Sequence, residues 1–335
     1  LAVCGAVGNA LSIKTFISIG LADWSVVSLA WLSASDLLYL SAVVVSSFSY
    51  DVFVAEAWYG YRTWYPVEPF GVYTIFDNLG GGPYALTLLV TTYLSLTRCL
   101  GVAMPLYFKH ALTRAKTVAV LACFTAVALT SCLPILVFMS LEAQFDKRVN
   151  ATRPLIRIDE GWLHTKDYVW GLRDIFLPLA AQAILVACVS VMAKCLRDST
   201  RFRQGSMRVR HSDPVPGNLK SPNVISYSRF DEVPHGTPPP SQRAVRLSGR
   251  ELQAVRQMLV ISSVFIVSNT PKIFMNVAEL SFTTFTLIGQ FQALFQTVNS
   301  LRELFQTINS SVNFLIYVTY NTKFRENLLS LNHRK

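Results

Sequence analysis

The feature that most constrains this chain is a succession of seven apolar runs, at residues 1–17, 26–49, 72–102, 116–141, 172–196, 252–280 and 291–320. About 20 apolar residues in a helix match the hydrocarbon thickness of a bilayer. Inside lipid every backbone N–H and C=O needs an internal partner, so only helices and closed barrels span it. The two-residue alternation of barrel strands is absent, which leaves helices. The charged fraction agrees, at 15% against roughly 25% in soluble domains. The expected fold is an all-α membrane protein: a seven-transmembrane helix bundle over residues 1–320, then a short amphipathic C-terminal helix and tail over 321–335. Pro134, Pro178 and Pro271 lie inside runs and are expected to kink them. The first run is short at its outer end, so further N-terminal sequence is expected before Leu1.

Residues 197–250 form the one long polar stretch, rich in Ser and Arg and containing Pro238-Pro239-Pro240. Such a composition cannot bury a core, and a mostly disordered loop is expected. Ser206, Ser226, Ser228 and Ser248 lie near Arg there; the stretch reads equally as a phosphorylated segment or an unregulated linker. The net charge of +10 does not indicate nucleic acid, because of where it sits. Lys14, the basic residues of 98–116 and 194–256, and those from Lys323 onward are 21 of the 30 Lys and Arg. The positive-inside rule makes that side cytoplasmic and the N-terminus extracellular. A multi-pass plasma-membrane protein is expected, whose basic loops also suit anionic membrane lipids. Asn150-Ala151-Thr152 is a glycosylation acceptor and falls in a loop placed outside. All six cysteines lie in or beside apolar runs, so no outer disulfide framework is expected.

Polar groups within a bilayer are costly, and each calls for an explanation. Asp36 sits in the middle of the second run, with Thr87, Asn309 and Asn313 as partners from other runs and Asn9 and Ser310 beside them. The set reads either as a small-cation or proton site or as a hydrogen-bonded knot; the two are compatible. Arg98 closes the third run, as a snorkelling anchor or as the partner of Glu251 at the start of the sixth. An Arg98–Glu251 pair would tie the two runs, and breaking it would free the sixth to swing about Pro271. Otherwise the two are independent surface charges. In the half assigned outside, Asp77, Tyr84, Arg173, Asp174, Lys272, Asn276, Arg302 and Glu303 point to a cavity of mixed charge. Such groups neutralise one another or hold a polar, zwitterionic ligand.

Several short patterns fall in order on these runs: Gly8-Asn9, Leu32-Ser33-Ala34-Ser35-Asp36-Leu37, Thr97-Arg98-Cys99 with Pro105-Leu106, Phe265, the three prolines, the stretch from Asn309 to Tyr317, and Phe324-Arg325. In this the whole chain resembles the rhodopsin-like (class A) G-protein-coupled receptors, nearest to invertebrate peptide-receptor-like and chemosensory-receptor-like branches. The resemblance implies a receptor that transmits binding of an extracellular ligand, a peptide or small polar chemosensory compound, to heterotrimeric G proteins. It implies a sodium-binding cluster of Asp36, Thr87, Asn309, Ser310 and Asn313, and a G-protein switch of Arg98, Glu251 and Tyr317. Ligand-binding candidates are Asp77, Tyr84, Asp174, Lys272, Asn276 and Glu303. No catalytic residues are expected, and no cofactor beyond that sodium ion.

The departures from the family pattern are specific. Thr97 replaces an acid, Asn269 an aromatic, and Phe314 the proline of the seventh run. Tyr73 stands at the position of an outer disulfide cysteine, so the loop after the fourth run must be held otherwise or be mobile. Gly80 and Gly81 replace the Asp that binds amines, although Asp77 is one turn away. Two other readings remain: a receptor relative that does not couple, and a transporter. A transporter would show internal repeats with broken helices in matching places, and the two halves are unrelated. A retinal pigment would need a lysine in the seventh run, which has none.

Overall fold

The computed structural model describes residues 1–62, 65–104, 113–211, 249–282, 285 and 290–333. Its helices begin and end where local chemistry dictates. α1 (Ala2–Ile19) stops at Gly20, whose φ of 93° suits glycine. α2 (Trp24–Trp58) starts at Asp23, whose carboxylate accepts from the Ser25 amide at 3.0 Å. α3 (Pro69–Ala103) opens on a proline, which needs no N–H there. α4 (Arg114–Phe138) is capped by Thr113. A hairpin follows, β1 (Met139–Asp146) with β2 (Ala151–Ile158), paired antiparallel with Met139 opposite Ile158. α5 (Glu160–Trp170) leads through a π-helical segment, Gly171–Phe176, into α6 (Leu177–His211). α7 (Gly249–Ser281), α8 (Gln292–Tyr320) and α9 (Thr322–His333) complete the described chain.

Among the described residues six helical stretches are long and apolar enough to cross a membrane: α1, α2, α3, α4, the α5–α6 run and α7. The seventh apolar run, as α8, is not among them. Its polar residues are too frequent, and packing sorts them inward. Gln306, Thr307, Asn309, Ser310 and Asn313 are buried, whereas Leu294, Leu301, Leu304 and Leu315 are exposed. α3 is the central element and packs against α2, α4, α6 and α7. At the end away from the hairpin, α9 folds back beneath the bundle. Phe324 is fully buried there, with its ring centroid 5.0 Å from Phe16 and 5.6 Å from Tyr317.

Two sequence expectations are corrected. The fourth run ends at Phe138, and the chain turns into β1 instead of continuing as helix to residue 141. The described chain is therefore not purely helical. The polar stretch expected to be disordered from residue 197 continues as helix to His211. Ser226, Ser228 and Ser248 lie outside the described residues, as does the side chain of Ser206. As expected from the loss of the proline, Phe314 leaves α8 unbroken, since a residue with an N–H need not kink a helix.

The hairpin is held without a disulfide, and all six cysteines are free. Arg153 is 2% exposed. Its guanidinium meets Glu56 of α2 at 2.9 Å and Asp146 of β1 at 2.8 Å. Glu68, just before α3, accepts from Arg148 at 2.9 Å and from the Ile156 amide at 3.0 Å. Tyr73 joins an aromatic ladder between α2 and α3, its centroid 5.2 Å from Tyr50 and 6.0 Å from Phe70. Burial alone would raise the Asp146 carboxyl, but the Arg148 amide and the Arg153 guanidinium outweigh it and hold it below its ordinary value. Asn150 is exposed at the hairpin turn with φ 52°, so its acceptor triplet is accessible.

Candidate functional site

At the hairpin end of the bundle lies a cavity of about 130 Å3. Asp77, Tyr84, Asp174, Lys272 and Glu303 line it together, as do Arg173 and Arg302. The π-helical segment carries Arg173 and Asp174 into it; such segments recur at functional sites. Asp174 accepts from Lys272 at 2.8 Å and from Arg173 at 2.9 Å. Pro178 has no N–H to offer the Asp174 carbonyl four residues back, and Asn276 donates to that carbonyl instead. Asn276 thus supports the cavity from behind and is not part of its lining.

Glycines in α3 make the room. A Cβ at Gly81 would stand 2.6 Å from Arg173 Cζ, so only a bare backbone admits the guanidinium. A Cβ at Gly82 would stand 2.3 Å from Cys132 Sγ. Pro83 frees the Leu79 carbonyl, and the Cys132 thiol donates to it at 3.8 Å. Also in the lining, Arg302 and Glu303 approach at 3.6 Å. Tyr39 donates to Gln306 at 3.3 Å.

Tyr84 forms the cavity floor. Lys272 Nζ lies 4.9 Å from its ring centroid, and its hydroxyl donates to Asn269 at 3.4 Å. The ring stacks on Phe265 at 6.3 Å. Asn269, where the resemblance has an aromatic on α7, is buried and accepts from Tyr84. One turn further along α3, Thr87 donates to Asp36 Oδ1 at 2.9 Å, and Asn313 donates to Asp36 Oδ2 at 2.7 Å. Asn9 donates to the Ser310 carbonyl at 2.8 Å. Asp36 is fully buried, and the Ser310 hydroxyl is buried without a hydrogen-bond partner among the described residues. One carboxylate with hydroxyl oxygens around it, one still unsatisfied, suits a small hard monovalent cation. Asn309 is buried, but its amide nitrogen has no partner there and does not reach Asp36.

At the other end of α3, the Arg98 guanidinium turns to the start of α2. It donates to Ser25 and lies 4.7 Å from the Trp24 ring centroid. The expected Arg98–Glu251 ion pair does not occur; Glu251 stands on the first turn of α7 with its side chain exposed. Thr97 donates within its own helix to Leu94 at 2.9 Å. Tyr317 is buried with its hydroxyl unpaired among the described residues.

Sequence reasoning missed Tyr39, Gln306 and Pro83. Pro83 was the readable signal, because a proline in the middle of a span demands a donor from a neighbouring helix. No protein-family model matches the chain, and no curated protein matches it.

Proposed function

We propose that this chain is a seven-span plasma-membrane receptor of the rhodopsin-like kind, which couples an extracellular ligand to a heterotrimeric G protein. The observation that carries this reading is the continuity of α3. It bears Tyr84 on the cavity floor, Thr87 on Asp36 and Arg98 at the opposite end. A ligand acting on Tyr84 thus acts on the same continuous helix that carries the switch residue, and one that also meets Lys272 acts on α7 beside it. The inward-facing polar stripe of α8, with leucines outward, supports a seventh span, since a water-exposed helix has the reverse pattern. In this reading the hairpin end is extracellular, and sodium binds at Asp36 with the Thr87 and Ser310 oxygens.

Arg98 rests on Trp24 and Ser25, so those residues, in place of Glu251, restrain it. The test is nucleotide exchange on purified G proteins by membranes holding the full chain, Trp24→Ala and Arg98→Ala at equal surface density. Trp24→Ala is expected to raise basal exchange several-fold, and Arg98→Ala to abolish it. No exchange above mock membranes from either the full chain or Trp24→Ala would count against coupling.

A further inference from the structure

The six ionised side chains of the cavity sum to zero, but they are not evenly paired. Asp174 is shared by two cations, Arg173 at 2.9 Å and Lys272 at 2.8 Å, so that wall carries one excess positive charge. Arg302 has its ion pair with Glu303, at 3.6 Å, and its buried Nε has no hydrogen-bond partner among the described residues. Asp77 also acts on Arg302 and lies near Glu303, yet it makes no hydrogen bond or ion pair among the described residues. That part of the lining therefore carries one excess negative charge. A buried pocket whose lining carries an excess positive charge around Asp174 and an excess negative charge around Arg302 selects a ligand with the complementary dipole.

Size narrows the class. A water needs about 10–15 Å3 of cavity space, so a cavity of about 130 Å3 accommodates a small molecule of on the order of ten non-hydrogen atoms. A peptide terminus presents only one of the two charges. We infer that the cavity binds a small zwitterion of free amino-acid type, its carboxylate against Arg173 and Lys272 and its ammonium between Asp77 and Glu303. This rests on the reading of the cavity as the receptor's ligand site.

The test measures binding alone, with the full chain in lipid nanodiscs and no G protein present. The probes are alanine, propionate and alaninol, which share a small carbon frame and carry both charges, the anion alone, or the cation alone. Alanine is expected to bind saturably, and each single-charge analogue at least about tenfold more weakly, the worth of one lost charge-assisted contact. Asp77→Asn should weaken alanine about tenfold and leave propionate unchanged. Arg173→Gln should weaken alanine and leave alaninol unchanged.

A merely structural role for either residue would weaken all three probes together, and that result overturns the inference. So would propionate or alaninol binding as tightly as alanine, or no binding of any probe to a chain with an intact thermal transition. Zwitterion binding without nucleotide exchange would sink the receptor reading and leave the pocket assignment standing. Exchange without zwitterion binding would do the reverse.

Discussion

Asp36 concentrates the tension between cost and use at the residue scale. A buried carboxylate that accepts from Thr87 at 2.9 Å and from Asn313 at 2.7 Å has no ion-pair partner among the described residues. If sodium completes the shell, the folded chain gains stability as RT ln(1 + [Na+]/Kd), about 1.4 kcal/mol at ten times Kd. The unfolding midpoint should therefore rise when sodium chloride replaces choline chloride, and Asp36→Asn should remove that rise. A rise that persists in the variant would show that sodium acts elsewhere. Asp36 was legible because an acid in the middle of an apolar run has few explanations. So were Asp77, Tyr84, Asp174, Lys272 and Glu303, which the cavity unites. The direction of Arg98 was not legible. Helical spacing fixes the level of a side chain along the bundle, but which neighbour it meets depends on how α2 packs, and Trp24 offers Arg98 a ring face 4.7 Å away.

Among the elements, the hairpin was legible only in part. Residues 139–146 alternate apolar and polar, Met139-Ser140-Leu141-Glu142-Ala143-Gln144-Phe145-Asp146, a strand period that follows directly on the fourth apolar run and was overlooked there. The deciding contact is between Arg153 and Glu56, 97 residues apart, which no periodicity reports. Arg153→Ala would leave two carboxylates in a buried site, and losing one partner of such a cluster costs about 3–5 kcal/mol. We expect the variant to free the hairpin locally, read as faster amide exchange and faster proteolysis at residues 147–150. Acid should act the same way. The folded pKa of Asp146 lies below its ordinary value of 3.8. Its contribution is therefore complete above pH 3.8 and is lost as pH falls through the folded value. Hairpin protection should fall below about pH 3.8, and an Asp146→Asn chain should lack that transition.

For the molecule as a whole, the question the seven runs raised becomes one of parity. Among the described residues six helices are long and apolar enough to cross a membrane, and whether α8 also crosses decides on which side the tail emerges. Its exposed leucines and buried amides are the arrangement that lipid imposes on a helix lining a polar interior. If α8 crosses, α9 lies on the side opposite the hairpin, and the chain places its glycosylation acceptors accordingly. Asn150 sits on an exposed turn and should carry a glycan when the full chain is inserted into microsomes. Endoglycosidase should remove it, and Asn150→Gln should never acquire it. Two substitutions then map the remaining sides: Ile225→Thr creates an acceptor at Asn223, and Arg334→Thr creates one at Asn332. In the proposed orientation both stay unmodified, because the positive-inside rule assigns them, with 21 of the 30 basic residues, to the cytoplasmic side. A glycan at Asn332 together with one at Asn150 would put the tail on the hairpin's side, and α8 would then not cross. A glycan at Asn223 with none at Asn150 would invert the bundle, and the charged cavity would open toward the cytoplasm, where no extracellular ligand reaches it.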